Sequence, residues 1–295
     1  MEFSSRMISG KTMVYGLIGD PIDHSMSPAI QNAAFRSTGI DAVYVPLHVR
    51  RQDLREAIQG LRALKLKGFN VTAPHKVHVL RYLDKIETSA AAIGSVNTVI
   101  NENGKLSGFN TDGVGALKAL GEAGASLDGK SVLIFGAGGA SRAIAYALAR
   151  HANSVRLVNR TNSKSKELAG RIRGKFHIEV THAPLSSKLL RVFIEQANII
   201  INASSMGTDG IANPPIEVDW LRPDQWVFDI VYKPTQTRLL ELADSARARS
   251  ITGLNMLVNQ GACAFELWTG RKAPMLEMRH AVTQGLLAME HAESS

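Results

Sequence analysis

The stretch SVLIFGAGGASR, residues 131–142, decides the fold of the second half of the chain. Its first five residues are the most apolar strand candidate in the sequence, and the helical, alanine-rich segment AIAYALAR follows it. Glycines between a strand and a helix allow a tight turn and let a pyrophosphate approach the backbone, where the helix N-terminus offers unpaired N–H groups. The third position of this fingerprint holds Ser141 rather than glycine, and a small side chain is tolerated there. The stretch therefore predicts a dinucleotide-binding, Rossmann-type unit.

Three further strand-like segments follow the turn and alternate with helical stretches, as a doubly wound parallel sheet requires. They are SVRLV at 154–158, ANIII at 197–201 and WVFDIVY at 226–232. A helical pattern from Thr111 to about Ala123 precedes the turn, and the residues from Leu254 onward form two predicted helices. Because 295 residues exceed the size at which single cores usually divide, we expect an α/β protein of two domains.

The first hundred residues alternate β-rich segments with amphipathic helical ones, the rhythm of βαβ units. These are strands at 14–19, 42–49 and 68–72, with helices from Pro28 and from Gln52 between them. Ser27 is the predicted cap of the first helix and Gly39 its stop. Segments 97–100 and 105–110 flank a turn and predict a hairpin.

Composition excludes some classes of protein and leaves others open. The net charge of +8 permits attraction to anions, but the basic residues are spread along the chain without a zinc-finger or RNP-type motif. Nucleic-acid binding is therefore a weak alternative. Apolar runs are far shorter than the roughly 18 residues of a membrane span, and one cysteine forms no internal disulfide, so we expect a cytoplasmic protein without a membrane segment. His75 and His78 lack a third ligand motif, so we expect no metal site.

The residues after the second strand of the dinucleotide-binding unit indicate which cofactor is used. An NAD site usually places a carboxylate there, about 20 residues beyond the glycine turn, against the ribose 2′-hydroxyl. The chain instead has Asn159, Arg160 and Thr161, with no carboxylate. An arginine pairs with the 2′-phosphate of NADP, which a carboxylate would repel. The sequence predicts NADP as the cofactor.

Dense polar segments follow the predicted strands of the first half. They are HSMSP at 24–28, NVTAPHK at 70–76, NT at 97–98 and FNTDG at 109–113. Ligands of open α/β sheets bind at the carboxyl ends of strands, so these hydroxyls, amides and a Lys76/Asp112 pair could converge on a polyhydroxylated molecule. Taken singly, each residue also has an ordinary structural role as helix cap, turn former or solvated charge.

Together, eight motifs occur in an order that closely resembles the shikimate dehydrogenase family, from Gly16 to about Leu267. They are S-x-S-P, N-V-T-x-P-x-K, G-x-x-N-T, G-x-N-T-D, G-A-G-G-A, N-R-T, N-x-S-x-x-G and G-x-x-M-L-x-x-Q. The chain departs from the family at Ala73, where a larger hydrophobic residue is frequent, and at His75, where phenylalanine is frequent.

The resemblance implies a site for each ligand. Shikimate or 3-dehydroshikimate would be bound by Ser25, Ser27, Thr72, Lys76, Asn97, Asp112, Tyr232 and Gln260, with Lys76 and Asp112 as the catalytic pair. The cofactor NADP would be bound at its pyrophosphate by Gly136, Gly138, Gly139 and Ala140, at its adenosine phosphate by Asn159, Arg160 and Thr161, and on the nicotinamide side by Ser204, Gly253 and Met256, with Ile230 as a further contact.

The resemblance also implies the domain organisation. A substrate-binding domain would span residues 1–112 and a Rossmann-type NADP domain residues 113–253, while the helices of residues 254–295 return to the first domain and bring Gln260 to the substrate. Two alternatives stay open: a quinate or dual quinate/shikimate dehydrogenase, and a non-catalytic NADP-sensing regulator, of which loss of Lys76 or Asp112 would be typical. A homodimer also stays open.

Overall fold

Two six-stranded sheets with helices on their faces make up the protein. The computed structural model describes residues 7–208 and 211–293. Strands of the first sheet are β1 (Met13–Gly19), β2 (Ala42–His48), β3 (Gly68–Val71), β4 (Lys85–Ile86), β5 (Thr98–Glu102) and β6 (Lys105–Phe109). Strands of the second are β7 (Ser131–Phe135), β8 (Ser154–Asn159), β9 (Glu179–Pro184), β10 (Ile199–Asn202), β11 (Trp226–Asp229) and β12 (Arg249–Ile251). The α/β fold class with two sheets agrees with the expectation.

Ten α-helices accompany the strands within the described residues. They are α1 (Ser27–Ser37), α2 (Leu54–Ala63), α3 (Thr88–Ile93), α4 (Asp112–Ala123), α5 (Gly139–Leu148), α6 (Asn162–Arg173), α7 (Leu190–Gln196), α8 (Arg238–Ser245), α9 (Gly253–Thr269) and α10 (Met275–Glu293). None of them, over the part of the chain described, is both long and apolar enough to cross a membrane.

The second sheet is the predicted doubly wound unit. Its order is β12-β11-β10-β7-β8-β9, and every neighbouring pair is parallel. The chain starts at the central β7, winds outward through β8 and β9, and then crosses to β10 and winds the other way. This reversal beside β7 is the switch point at which such sheets bind ligands. Residues 132–135 of β7 are fully buried, as a central parallel strand requires.

The first sheet is mixed, with the order β2-β1-β3-β5-β6-β4. Strand β1 lies parallel to β2 and to β3, as the predicted βαβ rhythm requires, whereas β5 pairs antiparallel with β3 and with β6. The predicted hairpin is β5 and β6. Since β3 and β5 run in opposite directions, the carboxyl end of β3 meets the amino end of β5. This places Thr72 close to Asn97.

Helices α4 and α9 connect the two sheets, and glycines let them pack closely. A Cβ on Gly115 of α4 would come within 2.8 Å of the Gln260 Cβ on α9, and one on Gly113 would lie 2.7 Å from the Ala143 carbonyl oxygen of α5. The C-terminal helices pack on the first sheet's side, where Phe265 of α9 and Met278 of α10 share a core cluster with Tyr15. Both helices thus return to the first half of the chain. The predicted domain boundaries at 112/113 and 253/254 stay predictions.

Some elements differ from their sequence prediction. Strands β4, β9 and β12 were not predicted: β4 and β12 are only two and three residues long, and all three lie at the edges of their sheets, where burial leaves a weak pattern. The strand predicted at 226–232 ends at Asp229. The capping role predicted for Ser27 is wrong, because Ser27 is already helical and the cap position is held by Met26 without a side-chain hydrogen bond.

Candidate active site

A cleft of about 760 Å³ lies between the two sheets, facing the carboxyl ends of β3 and β7. All residues predicted to bind substrate or cofactor line it. From the substrate set these are Ser25, Ser27, Thr72, Lys76, Asn97, Asp112, Tyr232 and Gln260, and from the cofactor set Gly136, Gly138, Gly139, Ala140, Asn159, Arg160, Thr161, Ser204, Ile230, Gly253 and Met256. The cleft therefore brings together six polar side chains of the first half, Tyr232 and Gln260 from the second half, and the glycine turn of the second half.

Lys76 and Asp112 form an ion pair in the cleft, with 2.6 Å between Nζ and Oδ2. Lys76 lies in the turn that follows β3, and Asp112 is the first residue of α4. The carboxylate is almost fully buried, and the lysine side chain is 16% exposed. Such a pair holds the ammonium group in one place while leaving its remaining hydrogens free for a ligand.

The Asn97 side chain connects Asp112 to the rest of the cleft. Its Nδ2 atom donates to Asp112 Oδ1 at 2.8 Å and has Thr111 Oγ1 at 2.9 Å and Gln260 Oε1 at 3.3 Å. Two hydrogens thus face three acceptors, and the bond to Gln260 is the longest. A hydroxyl group of a ligand can therefore replace Gln260 Oε1 as an acceptor of the Asn97 amide with the smallest loss of hydrogen bonding. Asn97 Oδ1 accepts a hydrogen bond from the Thr111 backbone N–H at 2.8 Å, which fixes the orientation of the side-chain amide.

Ser25 and Ser27 lie at the start of α1, beside Tyr232 of the other half of the chain. Ser25 Oγ accepts a hydrogen bond from the Ser27 backbone N–H at 3.3 Å. Burial raises the pKa of Tyr232, while hydrogen bonds with the Met26 backbone and the Ser25 side chain lower it less. The phenol is therefore protonated at neutral pH. With no capping bond to make, the Ser27 hydroxyl is available to a ligand.

The three glycines of the cofactor turn meet three different constraints. Gly136 has φ of +109°, and a Cβ there would lie 2.6 Å from Ser141 Oγ and 2.8 Å from the Ala203 carbonyl oxygen. Gly138 has open space where its Cβ would be, so its backbone can be approached from the cleft. Gly139 is crowded by Lys76 of the other half. Only Gly138 thus has the free approach that a pyrophosphate needs.

Ser141 is more than a tolerated replacement for the third glycine. Its hydroxyl is buried and donates to the Ala203 carbonyl oxygen at 2.7 Å, which links the start of α5 to the segment after β10. Helix α5 begins without a side-chain cap, so its first N–H groups are available to an anion. This geometry fits a dinucleotide pyrophosphate.

The adenosine end of the cleft contains Lys164, a basic residue that the sequence motifs did not include. Asn159 Nδ2 donates to the Thr161 carbonyl oxygen at 2.9 Å, which holds the turn that presents the exposed Arg160. Lys164, in the first turn of α6, also lines this end. The sequence contained a signal for Lys164, because a second basic residue follows Arg160 by four positions, in the first turn of α6. No carboxylate occupies residues 159–161, so the site fits a phosphate.

The nicotinamide end is built on a buried carboxylate. Asp229 Oδ1 accepts from Asn202 Nδ2 at 2.9 Å and from the Val231 N–H at 3.0 Å, and Oδ2 accepts from Thr237 Oγ1 at 2.7 Å. Asn202 in turn accepts from the Ser204 hydroxyl at 2.6 Å. Burial raises the pKa of Asp229 to about 6 despite these hydrogen bonds. No sequence motif pointed to Asp229, because an aspartate at the end of an apolar strand gives no signal.

Gly253 lies against Ile230 at this end of the cleft, and a Cβ at position 253 would collide with the Ile230 carbonyl group. It begins α9, and Met256, one turn later, is 5% exposed at the cleft. The backbone after β11 and the start of α9 are therefore in direct contact.

The two histidines of the 75–78 segment serve different neighbours. His75 is fully buried, with Nε2 at 2.6 Å from the Val49 carbonyl oxygen, so it occupies a core position. His78 lines the cleft and contacts Arg51. Over the described ranges, 7–208 and 211–293, no group of three or more His, Cys, Asp or Glu side chains could hold a metal ion.

A Rossmann-type sheet, a glycine turn open to an anion and a polar cleft beside it define a two-domain, nicotinamide-dinucleotide-binding α/β protein. Family profiles match three parts of the chain: the "Shikimate dehydrogenase substrate binding domain" at residues 17–99, "Shikimate / quinate 5-dehydrogenase" at 118–230 and "Shikimate 5'-dehydrogenase C-terminal domain" at 253–283. The chain belongs to the shikimate dehydrogenase family.

Individual relatives are similar over nearly their whole length. The shikimate dehydrogenase (NADP(+)) of Pyrococcus furiosus is 46% identical over 273 residues, 92% of this chain and 96% of the relative. A crystal structure of a shikimate dehydrogenase in complex with NADP+ has 40% identity and a TM-score of 0.87, covering 95% of this chain and 98% of its own. The shikimate 5-dehydrogenase of Listeria monocytogenes in complex with shikimate and NAD has 38% identity and a TM-score of 0.84, covering 94% and 98%.

Proposed function

We propose that this protein catalyses the reversible, NADPH-dependent reduction of 3-dehydroshikimate to shikimate. The observation that carries the proposal is the Lys76–Asp112 ion pair, held at 2.6 Å in a cleft whose opposite wall is the glycine turn of a dinucleotide site. Both the substrate and the cofactor are small, polar and anionic, and both suit a cytoplasmic biosynthetic enzyme. The proposed location is therefore the cytoplasm.

Lys76 acts on the oxygen of the reacting carbon. The cofactor, when bound, supplies the hydride. Reduction of a ketone leaves negative charge on its oxygen, and an ammonium group hydrogen-bonded to that oxygen stabilises the charge and donates a proton to it. The cleft keeps most of the lysine side chain from water, which strengthens this interaction. In the oxidation direction the same nitrogen accepts the proton.

Asp112 orients the ammonium group and binds the substrate. Its Oδ2 atom holds Lys76, and its Oδ1 atom is held by Asn97, so the carboxylate has a fixed orientation. A carboxylate with both oxygens positioned can also accept a hydrogen bond from a hydroxyl beside the reacting carbon. The side-chain amide of Asn97 thus holds the carboxylate of the pair, and α4 holds its backbone.

The remaining polar residues bind the ring substituents of the substrate. Ser25 and Ser27, at the start of α1, would hold the carboxylate, since hydroxyls at a helix N-terminus favour an anion. Thr72, Asn97 and Gln260 would hold the ring hydroxyls, and Tyr232, beside Ser25, would also contact the substrate. On that side the pyrophosphate would lie at Gly136, Gly138, Gly139 and Ala140, the adenosine phosphate at Asn159, Arg160 and Thr161, and the nicotinamide near Ser204, Ile230, Gly253 and Met256.

A parallel assay tests the proposal against its alternatives. Oxidation of NADPH or NADH is followed by absorbance with 3-dehydroshikimate and with 3-dehydroquinate. We expect NADPH oxidation with 3-dehydroshikimate and much slower reaction with 3-dehydroquinate. Comparable turnover of both substrates would identify a dual enzyme. Tight NADPH binding without turnover of either would identify a non-catalytic regulator and overturn the proposal.

A further inference from the structure

Basic side chains from both halves of the chain surround the adenosine end of the cleft. Arg160 and Lys164 come from the Rossmann-type half. From the other half of the chain, Arg51 follows β2, and His78 ends the turn that contains Lys76. The charge of Lys164 acts on His78, so the two groups lie near each other. Residues 51 and 78 belong to no motif of the dinucleotide fingerprint, and only the fold places them there.

Arg51 is held in position by His78. The distance between Arg51 Nη2 and His78 Nε2 is 3.1 Å, and because a guanidinium has no acceptor, the imidazole nitrogen must accept this hydrogen bond. Burial lowers the pKa of His78, and the charges of Arg51, Arg81, His75 and Lys164 lower it further. Lys164 acts from the opposite wall, so the two walls repel each other electrostatically when no anion lies between them.

These cations lack the carboxylate partners that neighbouring arginines have. Arg50, adjacent in sequence, pairs with Asp53 at 2.9 Å. Among the residues that the structure describes, Arg51, Arg160 and Lys164 form no ion pair with a carboxylate.

One carboxylate does line this end of the cleft, but it is already neutralised. Glu167 is bonded to Arg142 at 3.0 Å and to Arg171 at 3.4 Å. The positive charge of this end is therefore uncompensated within the protein, and a dianion would relieve the repulsion between its walls.

We infer that Arg51, positioned by His78, binds the 2′-phosphate of NADP from the substrate-binding half and is a specificity-determining residue for NADP over NAD. The phosphate then lies between cations of both halves, Arg51 on one wall and Arg160 with Lys164 on the other. NAD lacks this phosphate and gains nothing from Arg51. The inference rests on the proposed NADP-dependent activity, and it assigns a selective role to a residue outside the dinucleotide-binding unit.

Arg51→Gln is compared with Arg50→Gln, which removes the same charge one residue away from the cleft. Calorimetry with adenosine 2′,5′-bisphosphate and with 5′-AMP isolates the phosphate contact from catalysis. We expect Arg51→Gln to weaken the bisphosphate by roughly tenfold, the effect of one charge-assisted hydrogen bond, and 5′-AMP by less than about twofold. Arg50→Gln leaves both ligands unchanged. Melting curves check that both variants fold.

The positioning role of His78 is tested by combining variants of His78 and Arg51. We expect His78→Ala to weaken the bisphosphate in the wild-type background and to have no further effect in the Arg51→Gln background. His78→Gln, whose amide oxygen can accept the same bond, should restore most of the affinity.

Two results would overturn the inference. If Arg51→Gln weakened both ligands equally, the arginine would bind the part that NAD shares; if it behaved like Arg50→Gln, it would bind neither. Wild-type NADPH oxidation with 3-dehydroshikimate is measured separately, so failure of the proposed function is distinguishable from failure of this contact.

Discussion

The side chain of Lys76 occupies the space where Gly139 would carry a Cβ. That atom would lie 2.5 Å from the Lys76 Cβ, 3.0 Å from its Cδ and 3.0 Å from Ser95 Oγ. The second half of the chain thus presents its glycine turn directly against Lys76, the residue of the first half for which we propose a catalytic role. Glycine at position 139 is required by this approach of the two halves, in addition to any contact with a pyrophosphate.

We therefore expect Gly139→Ala to displace Lys76 and to lower kcat by at least about tenfold, because small misplacements of reacting groups are costly.

Gly138→Ala differs, since its Cβ meets no protein atom and obstructs only the open approach to the backbone. That variant should fold normally and lose NADP affinity. Gly121→Ala on α4 also has open space, and as a control it should retain activity and gain up to about 1 kcal/mol of stability. Steady-state kinetics and melting curves separate the three variants.

Lys76→Ala should lower kcat by at least about 100-fold while NADPH binding persists, because a general acid–base group typically contributes that much. An interaction made mainly in the transition state lowers kcat and kcat/KM together. Lys76→Ala also leaves the buried Asp112 carboxylate unpaired, so we expect a lower melting temperature. Asp112→Asn should lower kcat as well. The exposed Lys85→Ala is the control. Near-normal turnover in folded Lys76→Ala would remove the lysine from the mechanism.

Arg160→Ala should raise KM for NADP by one to two decades and leave KM for NAD nearly unchanged. The reason is the loss of one charged hydrogen bond to the 2′-phosphate, about 1.5–3 kcal/mol. Lys166→Ala, an exposed lysine on α6 outside the cleft, is the matched control. An equal loss with both cofactors would show that Arg160 does not contact the 2′-phosphate.

The parts of the fold that the sequence predicted are those where burial leaves a periodic pattern. Strand β7 is buried on both faces and was identified from its apolar run, and the hairpin of β5 and β6 was identified from its turn. The edge strands β4, β9 and β12 were missed because they lack such a pattern: β9 mixes polar with apolar residues and ends in Pro184, and β4 and β12 have only two and three residues.

The site was predictable where its residues share a local motif and unpredictable where the fold assembles them. The loops after β3 and before α4 carry dense polar motifs, so Lys76 and Asp112 could be found by sequence alone. Arg51 and His78 are 27 residues apart and meet only through side chains, so no spacing could indicate them. Asp229 was hidden because a strand end surrounded by apolar residues resembles ordinary core.

Changing both Ser25 and Ser27 to Ala should weaken shikimate binding by about tenfold or more and leave NADP affinity intact, since each hydroxyl would donate to the substrate carboxylate. The melting temperature distinguishes this role from helix capping. Met26 makes no side-chain cap bond, and the bond from the Ser27 backbone N–H to Ser25 Oγ is long, 3.3 Å, so we expect little loss of stability, whereas loss of a true cap costs about 1 kcal/mol. Unchanged shikimate affinity, measured by titration, would exclude the two serines from the substrate site.

Asp229 should make stability depend on pH in a defined direction. Its pKa is about 6 in the folded protein against 3.8 for an unperturbed carboxyl, so the folded state binds the proton more tightly than the unfolded state does. Its contribution to stability is therefore complete below about pH 4 and is lost as the pH rises through about 6, a change of about 3 kcal/mol for a shift of about two units.

Asp229→Asn keeps the shape and carries no titrating group, so this component of the pH dependence should disappear when urea unfolding is measured between about pH 4 and pH 7. Asp128→Asn, at an exposed aspartate, controls for the loss of one carboxyl group. The amide offers one acceptor oxygen where the carboxylate serves Asn202, Val231 and Thr237. We therefore also expect the segment around Ser204 to loosen and NADP affinity to fall. A variant that kept the wild-type slope between pH 4 and pH 6 would show that another group is responsible for it.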